Sequence, residues 1–121
     1  MKNYYDFKEG VVKDDFGFMA PRLAIVLGYF GLFCEANQLP CKITSMFTDR
    51  VDIRKHTTHI EGRAFDASVR GWNYTNIQNC IDYMNHNVGA LGAVSKSDGI
   101  KRVVVFHKGT AEHFHFQVSP L

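Results

Sequence analysis

The pattern of apolar and polar positions first indicates a long helix in the N-terminal third of the chain. Pro21 stands where a helix tolerates proline, in the first turn, and apolar residues follow it at the spacing of one helical face. These residues are Leu23, Val26, Leu27, Phe30 and Phe33, and Ile25, Leu32 and Cys34 widen the apolar surface. The pattern predicts a largely buried helix that ends within residues 36–40, because Pro40 cannot continue the hydrogen-bond ladder.

A second helix is predicted to begin near Asn73 and to run to about Asn87. Asn73 or Thr75 supplies a side-chain oxygen suited to capping the first backbone N–H groups of a helix. The apolar positions that follow recur every three or four residues, and they are Ile77, Cys80, Ile81 and Met84. This stripe marks the face that we expect to pack on the core.

Four further segments have the alternation or the β-branched composition of strands: residues 41–47, 62–69, 101–107 and 113–118. The last two are separated by a short turn, which predicts a hairpin. Together with the helices, these segments predict an α+β fold. We expect a small antiparallel sheet of about four strands with helices packed on one side.

Alternation along two of these strands brings polar side chains to one face. Successive side chains point to opposite faces of a strand, so Ala64, Asp66 and Ser68 share one face of the second strand. By the same rule, His113, His115 and Gln117 share one face of the fourth strand, and the phenylalanines between them share the other.

The chain length of 121 residues fits a single domain, residues 1–121, with no internal repeat or linker. Residues 1–15 are polar and mixed in charge, which predicts a loosely ordered arm or a short lead-in helix. Residues 48–58 and 88–98 are predicted to be loops because they are rich in charged residues, or in glycine and small polar residues.

The charge balance argues against two classes of partner. Fourteen basic and twelve acidic residues give a net charge of +2, without a basic run, so nothing favours nucleic acid. The most apolar stretch, residues 16–34, contains Pro21 and Arg22, and it leaves fewer than the roughly 20 uninterrupted apolar residues that a bilayer requires. We therefore expect neither nucleic-acid binding nor membrane insertion.

Two features predict a cytoplasmic location in the producing cell. Acidic residues stand between the basic start of the chain and the apolar stretch, which argues against a signal peptide. The cysteines, Cys34, Cys41 and Cys80, contain no closely spaced ligand pair. Cys34 and Cys41 could form a disulfide, but three reduced and mostly buried thiols are the favoured interpretation.

The chemistry of the chain concentrates in residues 57–68 and 111–118. A catalytic zinc ion takes three protein ligands from His, Asp or Glu and keeps a fourth position for water. His59 and Asp66 supply one nitrogen and one oxygen ligand, with Gly62 allowing the backbone to bend between them, and His115 supplies the third ligand from the hairpin. These residues predict one zinc ion per chain.

Hydrolysis also requires a general base near the attacking water. Glu112, three residues before His115, is the candidate. Each element of this site has a simpler explanation, since a His-x-His pair on a strand is more often a polar face and an isolated Glu on a hairpin is usually solvated. The joint pattern is more specific than any of its parts.

The pattern Thr57-x-His59-x-x-Gly62-x-Ala64-x-Asp66, followed by Glu112-x-x-His115-x-Gln117, resembles a known zinc peptidase family. This family contains the zinc D-alanyl-D-alanine carboxypeptidases and the L-alanyl-D-glutamate endopeptidases of phage lysins. The segment from His59 to Asp66 is also similar to the zinc segment of the hedgehog signalling domain, which shares the fold. The resemblance covers residues 20 to 118 in element order and implies a hedgehog/DD-peptidase-like fold.

The resemblance also implies roles for individual residues. It implies that His59, Asp66 and His115 are zinc ligands, with Glu112 as the catalytic base. An arginine of this family polarises the scissile carbonyl, and Arg50 is the nearest match, with Arg54 as the rival.

Further side chains are candidates for contact with the substrate. His113 takes a position where it either stabilises the oxyanion or lines the cleft. Thr57 matches the Ser/Thr position of the family, and Thr57 and Gln117 are the candidate substrate-binding residues. His56 and His107 are left over as surface or outer-shell histidines.

The resulting hypothesis is a monomeric zinc metallopeptidase that cleaves the stem peptides of bacterial peptidoglycan. It would be a phage lytic enzyme that is made in the cytoplasm and acts on the cell wall after release. The alternatives are a cytoplasmic D-Ala-D-Ala dipeptidase, a non-catalytic zinc-bearing binding module of the same fold, and a small phage structural protein with a fortuitous motif.

Overall fold

The computed structural model of the chain describes residues 5–7, 20–45, 63–94, 98–108 and 112–119. These residues form two long helices, a short 3-10 helix and seven strands. In chain order the elements are β1 (Asp6–Phe7), α1 (Pro21–Ala36), β2 (Lys42–Ser45), β3 (Ala64–Ser68), α2 (Tyr74–Val88), the 3-10 helix (Gly89–Leu91), β4 (Ala93–Val94), β5 (Lys101–Arg102), β6 (Val104–His107) and β7 (His113–Gln117). The predicted α+β class is confirmed.

The main sheet has five strands in the order β1-β2-β3-β7-β6, and β4 and β5 pair separately. The four predicted strands form its antiparallel part, β2-β3-β7-β6. The fifth strand, β1, runs parallel to β2, and the Asp6 N–H donates to the Cys41 carbonyl at 2.8 Å. The sequence did not indicate β1, which lies within the segment expected to be an arm or a lead-in helix.

Helix α1 begins and ends as predicted, with Pro21 in its first turn and Ala36 as its last residue. The buried face of α1 is narrower than expected, because Ile25 and Leu32 are 49% and 58% exposed. The sheet and α2 cover one side of α1, and these two residues lie outside the covered stripe. The prediction that they contribute to a largely buried helix was wrong, whereas Cys34 is buried as expected.

Helix α2 also agrees with its predicted start and stripe. Asn73 is the N-cap, and its side-chain oxygen accepts a hydrogen bond from the Asn76 N–H at 2.8 Å. Ile77, Cys80 and Met84 of the predicted stripe are buried, and Ile81 is half-buried at the edge of the core.

The segment after α2 is more regular than a loop. It contains the 3-10 helix and β4, and Gly92 forms a bridge with Val118 beside β7. Residues 101–107, predicted as one strand, divide at Val103 into β5 and β6. Each of the two pieces therefore pairs with a different sheet.

The core lies between the helices and one face of the main sheet. Phe30 of α1 occupies its centre, with its ring centroid 4.7 Å from that of Phe116 and 6.2 Å from that of Phe65. Phe33 of α1 packs on Tyr83 of α2, with 5.3 Å between the ring centroids, which joins the helices on this face. The helices thus cover the phenylalanine face of the sheet and leave the histidine face uncovered by α1 and α2.

All three cysteines are free thiols, and all three are buried. This agrees with the predicted reduced state. The hydrogen bond with the Cys41 thiol, followed by burial, raises the pKa of Cys34, and burial raises the pKa of Cys80. In the ranges given above, no helix combines the length and the apolar character that a membrane crossing requires.

Candidate metal centre

The face of the main sheet opposite α1 and α2 carries the polar side chains that alternation predicted on β3 and β7. Asp66 and Ser68 come from β3, and His113, His115 and Gln117 come from β7. The register of β6 adds Val105 and His107 to the same face. In the antiparallel register, Asp66 stands directly opposite His115, and His107 stands directly opposite His113. The face therefore combines three imidazoles with one carboxylate.

Asp66 and His115 are in direct contact. The Nδ1 atom of His115 lies 2.9 Å from Oδ1 of Asp66, and the two side chains are 20% and 17% exposed for Asp66 and His115, respectively. Partial burial strengthens an electrostatic contact because fewer water molecules screen it. The pair supplies one oxygen and one nitrogen donor at a single point on the sheet.

The other nitrogen of His115 contacts Gln117, two residues along the same strand. Its Nε2 atom lies 3.1 Å from Oε1 of Gln117. A neutral imidazole carries one N–H, so it can donate to only one of these two oxygens. Three protonation states fit. An imidazolium would donate to both oxygens. A neutral ring protonated at Nε2 would donate to Gln117 and direct the Nδ1 lone pair towards a metal ion beside Asp66. A neutral ring protonated at Nδ1 would donate to Asp66 and accept a hydrogen bond from the Gln117 amide once its O and N atoms are exchanged.

The second state matches the way in which histidine binds metal ions. A metal-binding histidine usually donates its other ring N–H to an oxygen acceptor, which fixes its tautomer and its orientation. Two ligands of one tetrahedral zinc ion, each at about 2.0–2.1 Å, are about 3.3 Å apart. The observed separation of 2.9 Å is that of a hydrogen bond and is shorter than this value, and the pair supplies one oxygen and one nitrogen of the types that zinc binds.

His107 and His113 extend the same polar face. Their rings are stacked with centroids 5.0 Å apart, and the His107 ring lies edge-on to His115 at 6.0 Å. Partial desolvation lowers the pKa of His107 below its ordinary value of 6.5, and His113 and His115 lower it further, whereas Asp66 acts in the opposite direction. His107, expected to be a surface or outer-shell histidine, is exposed and lies in this cluster.

Glu112, the predicted general base, lies immediately before β7. Its carboxylate accepts a hydrogen bond from the Tyr74 hydroxyl. The Oη atom of Tyr74 lies 3.1 Å from Oε2 and 3.3 Å from Oε1. Tyr74 is the first residue of α2, and the sequence gave no signal for this contact, because the partners are 38 residues apart. The hydrogen bond to Glu112 and the charge of the carboxylate raise the pKa of Tyr74.

Three of the predicted site residues, His59, Arg50 and Thr57, lie outside the described residues, as do Arg54 and His56. The structure brings together Asp66, His115, Gln117 and His113, and it places Glu112 against Tyr74. Within the described part of the chain, no three His, Cys, Asp or Glu side chains form a metal-binding group. The predicted set of three ligands includes His59.

Comparison with protein-family models, curated proteins and solved structures finds no match for this chain.

Proposed function

We propose that this protein is a zinc-dependent peptidase that hydrolyses a peptide bond in the stem peptides of bacterial peptidoglycan. The observation that carries the proposal is the direct cross-strand contact between Asp66 and His115, with 2.9 Å between Oδ1 and Nδ1. The motif in the sequence, by its resemblance to the zinc peptidases, implies that these two side chains share one metal ion. The substrate class comes from the resemblance of that motif to wall-lytic peptidases.

Asp66 and His115, together with His59, would hold the zinc ion. When bound, zinc polarises a carbonyl oxygen and lowers the pKa of a coordinated water to about 7. Gln117 accepts the Nε2–H of His115 in this state, which keeps the Nδ1 atom turned towards Asp66. Gln117 thereby gains an orienting role beside its predicted contact with the substrate.

Glu112 is the general base in this proposal. Its carboxylate takes a proton from the attacking water and transfers it to the nitrogen of the departing amine. Arg50 is proposed to polarise the scissile carbonyl. His113 is proposed to stabilise the oxyanion or to line the cleft, and Thr57 is proposed to support substrate binding.

The same resemblance suggests the biological setting. We propose a monomeric phage lytic enzyme that is made in the cytoplasm of the producing cell and acts on the wall after release. The alternative class is a zinc-bearing binding module of the same fold, without hydrolysis.

The test combines metal analysis with digestion of purified peptidoglycan. We expect one zinc ion per chain, and we expect the digest to release either free D-alanine or new amino termini. Mass spectrometry of the fragments identifies the bond, because a carboxypeptidase releases D-alanine and an L-Ala-D-Glu endopeptidase exposes the amino group of D-glutamate.

Glu112→Gln separates the enzyme from the binding module. The substitution removes the base and retains the size of the side chain, so we expect zinc to remain bound and cleavage to fall by a factor of about 100 or more. Glu35→Gln on the exposed side of α1 is the matched control and should cleave normally. Zinc binding without any cleavage by the wild-type protein would contradict the peptidase and favour the module.

A further inference from the structure

Tyr74 is held in a defined place at the start of α2. The N-cap hydrogen bond from the Asn76 N–H to the Asn73 side chain fixes the first turn of this helix. The Tyr74 ring packs edge-on to Phe106 of β6, with ring centroids 6.4 Å apart. The ring nevertheless remains 64% exposed, so its hydroxyl lies at the surface of the sheet edge beside Glu112.

The hydroxyl of Tyr74 reaches both oxygens of Glu112. A phenol has one proton, so the distances of 3.1 and 3.3 Å describe a single hydrogen bond shared between the two carboxylate oxygens. A carboxylate has about four lone-pair sites, so most of its capacity to accept a proton remains available. This contact therefore orients the carboxylate and leaves it able to accept a proton from another donor.

Glu112 lies just outside the regular structure of the sheet. It precedes β7, which begins at His113, so its backbone lies outside the strand ladder. Its side chain has three rotatable bonds, and ordering such a side chain has an entropic cost. A hydrogen bond from a helix-anchored ring reduces the number of positions that the carboxylate samples.

We propose that Tyr74 is a positioning residue that fixes the carboxylate of Glu112 for its role as general base. This inference rests on the proposed peptidase function. Tyr74 acts through Glu112, so its loss should lower kcat and leave KM nearly unchanged. The helix that covers the opposite side of the sheet would thereby contribute to the reaction.

The first experiment tests the contact itself in zinc-loaded protein. Tyrosines are labelled with ¹³C at Cζ, and the Tyr74 signal is assigned by its loss in Tyr74→Phe. In the wild type we expect the pKa of Tyr74 to lie above its ordinary value of 10.0. In Glu112→Gln the acceptor loses its charge, so the pKa of Tyr74 should fall towards that value. A Tyr74 titration that is unaffected by Glu112→Gln would overturn the proposal.

The second experiment compares the kinetics of Tyr74→Phe and Tyr83→Phe on the same peptidoglycan fragment. Tyr74→Phe keeps the ring on Phe106 and removes only the hydroxyl, and we expect kcat to fall about 10-fold with KM within about twofold of the wild type. Tyr83→Phe removes a hydroxyl from the other end of α2 and should leave kcat unchanged. Unchanged kcat in Tyr74→Phe, with an active wild type, would overturn this inference alone. A wild-type protein that binds zinc and cleaves nothing would overturn the proposed function and this inference with it, whatever the titration shows.

Discussion

Asp66 and His115 stand directly opposite each other on β3 and β7, although 49 residues separate them along the chain. Their contact depends on the register of two strands that are not consecutive in the sequence. A shift by one residue would turn either side chain to the phenylalanine face, where the core would have to bury it. Burial of Phe65, Ala67, Phe114 and Phe116 therefore enforces the register that brings the two polar side chains together.

The first prediction concerns zinc binding by this pair. A ligand that binds only the folded state stabilises it by about 2.7 kcal/mol at a concentration 100 times its Kd. We therefore expect zinc to raise the Tm of the wild type, and we expect Asp66→Ala and His115→Ala to abolish most of this increase. The measurement is thermal unfolding with zinc and with a chelator, together with metal analysis of the purified variants.

Two surface substitutions on α2 serve as controls for the zinc experiment. Asp82→Ala and His86→Ala remove the same residue types from exposed positions, and both variants should keep the full response to zinc. Zinc stabilisation of Asp66→Ala equal to that of the wild type would exclude Asp66 from the centre. His59→Ala should behave as His115→Ala does if His59 is the third ligand.

The faces of the strands could be read from the sequence because alternation is a local property. Asp66 and His115 each lie between apolar neighbours, so a period of two decides their side of the sheet. The starts of the helices could be predicted equally well, since Pro21 and Asn73 are local signals. The strand β1 could not be predicted, because its two residues are too few for a periodic pattern.

The contacts that link distant parts of the chain could not be predicted in the same way. Tyr74 and Glu112 meet because the start of α2 lies beside the end of the sheet, which only the assembled fold determines. The exposure of Ile25 and Leu32 has a related cause. Apolar residues surround much of α1, and the sequence does not state which stripe its neighbours cover.

The second prediction concerns two glycines one turn apart in α1. A Cβ atom at Gly28 would meet no atom within 4 Å, so Gly28→Ala should stabilise the helix by about 1 kcal/mol. A Cβ atom at Gly31 would lie 2.6 Å from the hydroxyl oxygen of Tyr5, which donates to the Leu27 carbonyl at 3.2 Å. Gly31→Ala must displace that ring and should destabilise the protein by about 1 kcal/mol in spite of the better helix former.

Urea unfolding of the two alanine variants measures both effects on one helix. Each variant has the other as its matched control, because the substitution and the element are the same. Stabilisation of similar size in both variants would show that Tyr5 does not pack against Gly31 as the structure describes.

The third prediction concerns the exposed ion pair beside β5. Arg102 Nη1 lies 2.8 Å from Oδ2 of Asp98, and the hydrogen bond from Arg102 is the main cause that lowers the pKa of Asp98 below its ordinary value of 3.8. The N–H of Ile100 also donates to the Asp98 side chain. A carboxyl group with a lowered pKa in the folded state adds stability above its unfolded pKa, and this contribution is lost as the pH falls through the folded value.

NMR titration of the Asp98 carboxyl carbon tests this assignment. Arg102→Gln should raise the pKa of Asp98 towards its ordinary value, and Lys101→Gln, a neutralising change on the same strand, should have a much smaller effect. Salt at 1 M should reduce the difference, since exposed charges are screened. Because the pair is on the surface, Tm should change little between Arg102→Gln and the wild type. A pKa of Asp98 that does not respond to Arg102→Gln would contradict the contact.

The last prediction concerns the orientation of His115 by Gln117. If Oε1 of Gln117 accepts the Nε2–H of His115, as the 3.1 Å contact suggests, Gln117→Leu should weaken zinc binding about 10- to 100-fold without removing a ligand. Gln117→Glu keeps an oxygen acceptor at this position and should restore affinity close to that of the wild type. Competition with a chromophoric chelator measures the Kd for zinc in each variant without any reference to activity. Gln78→Leu, on the exposed side of α2, is the control for the loss of an amide. Equal affinity in Gln117→Leu and the wild type would contradict an orienting role, and an equal loss in Gln117→Leu and Gln117→Glu would attribute the effect to packing instead of the hydrogen bond.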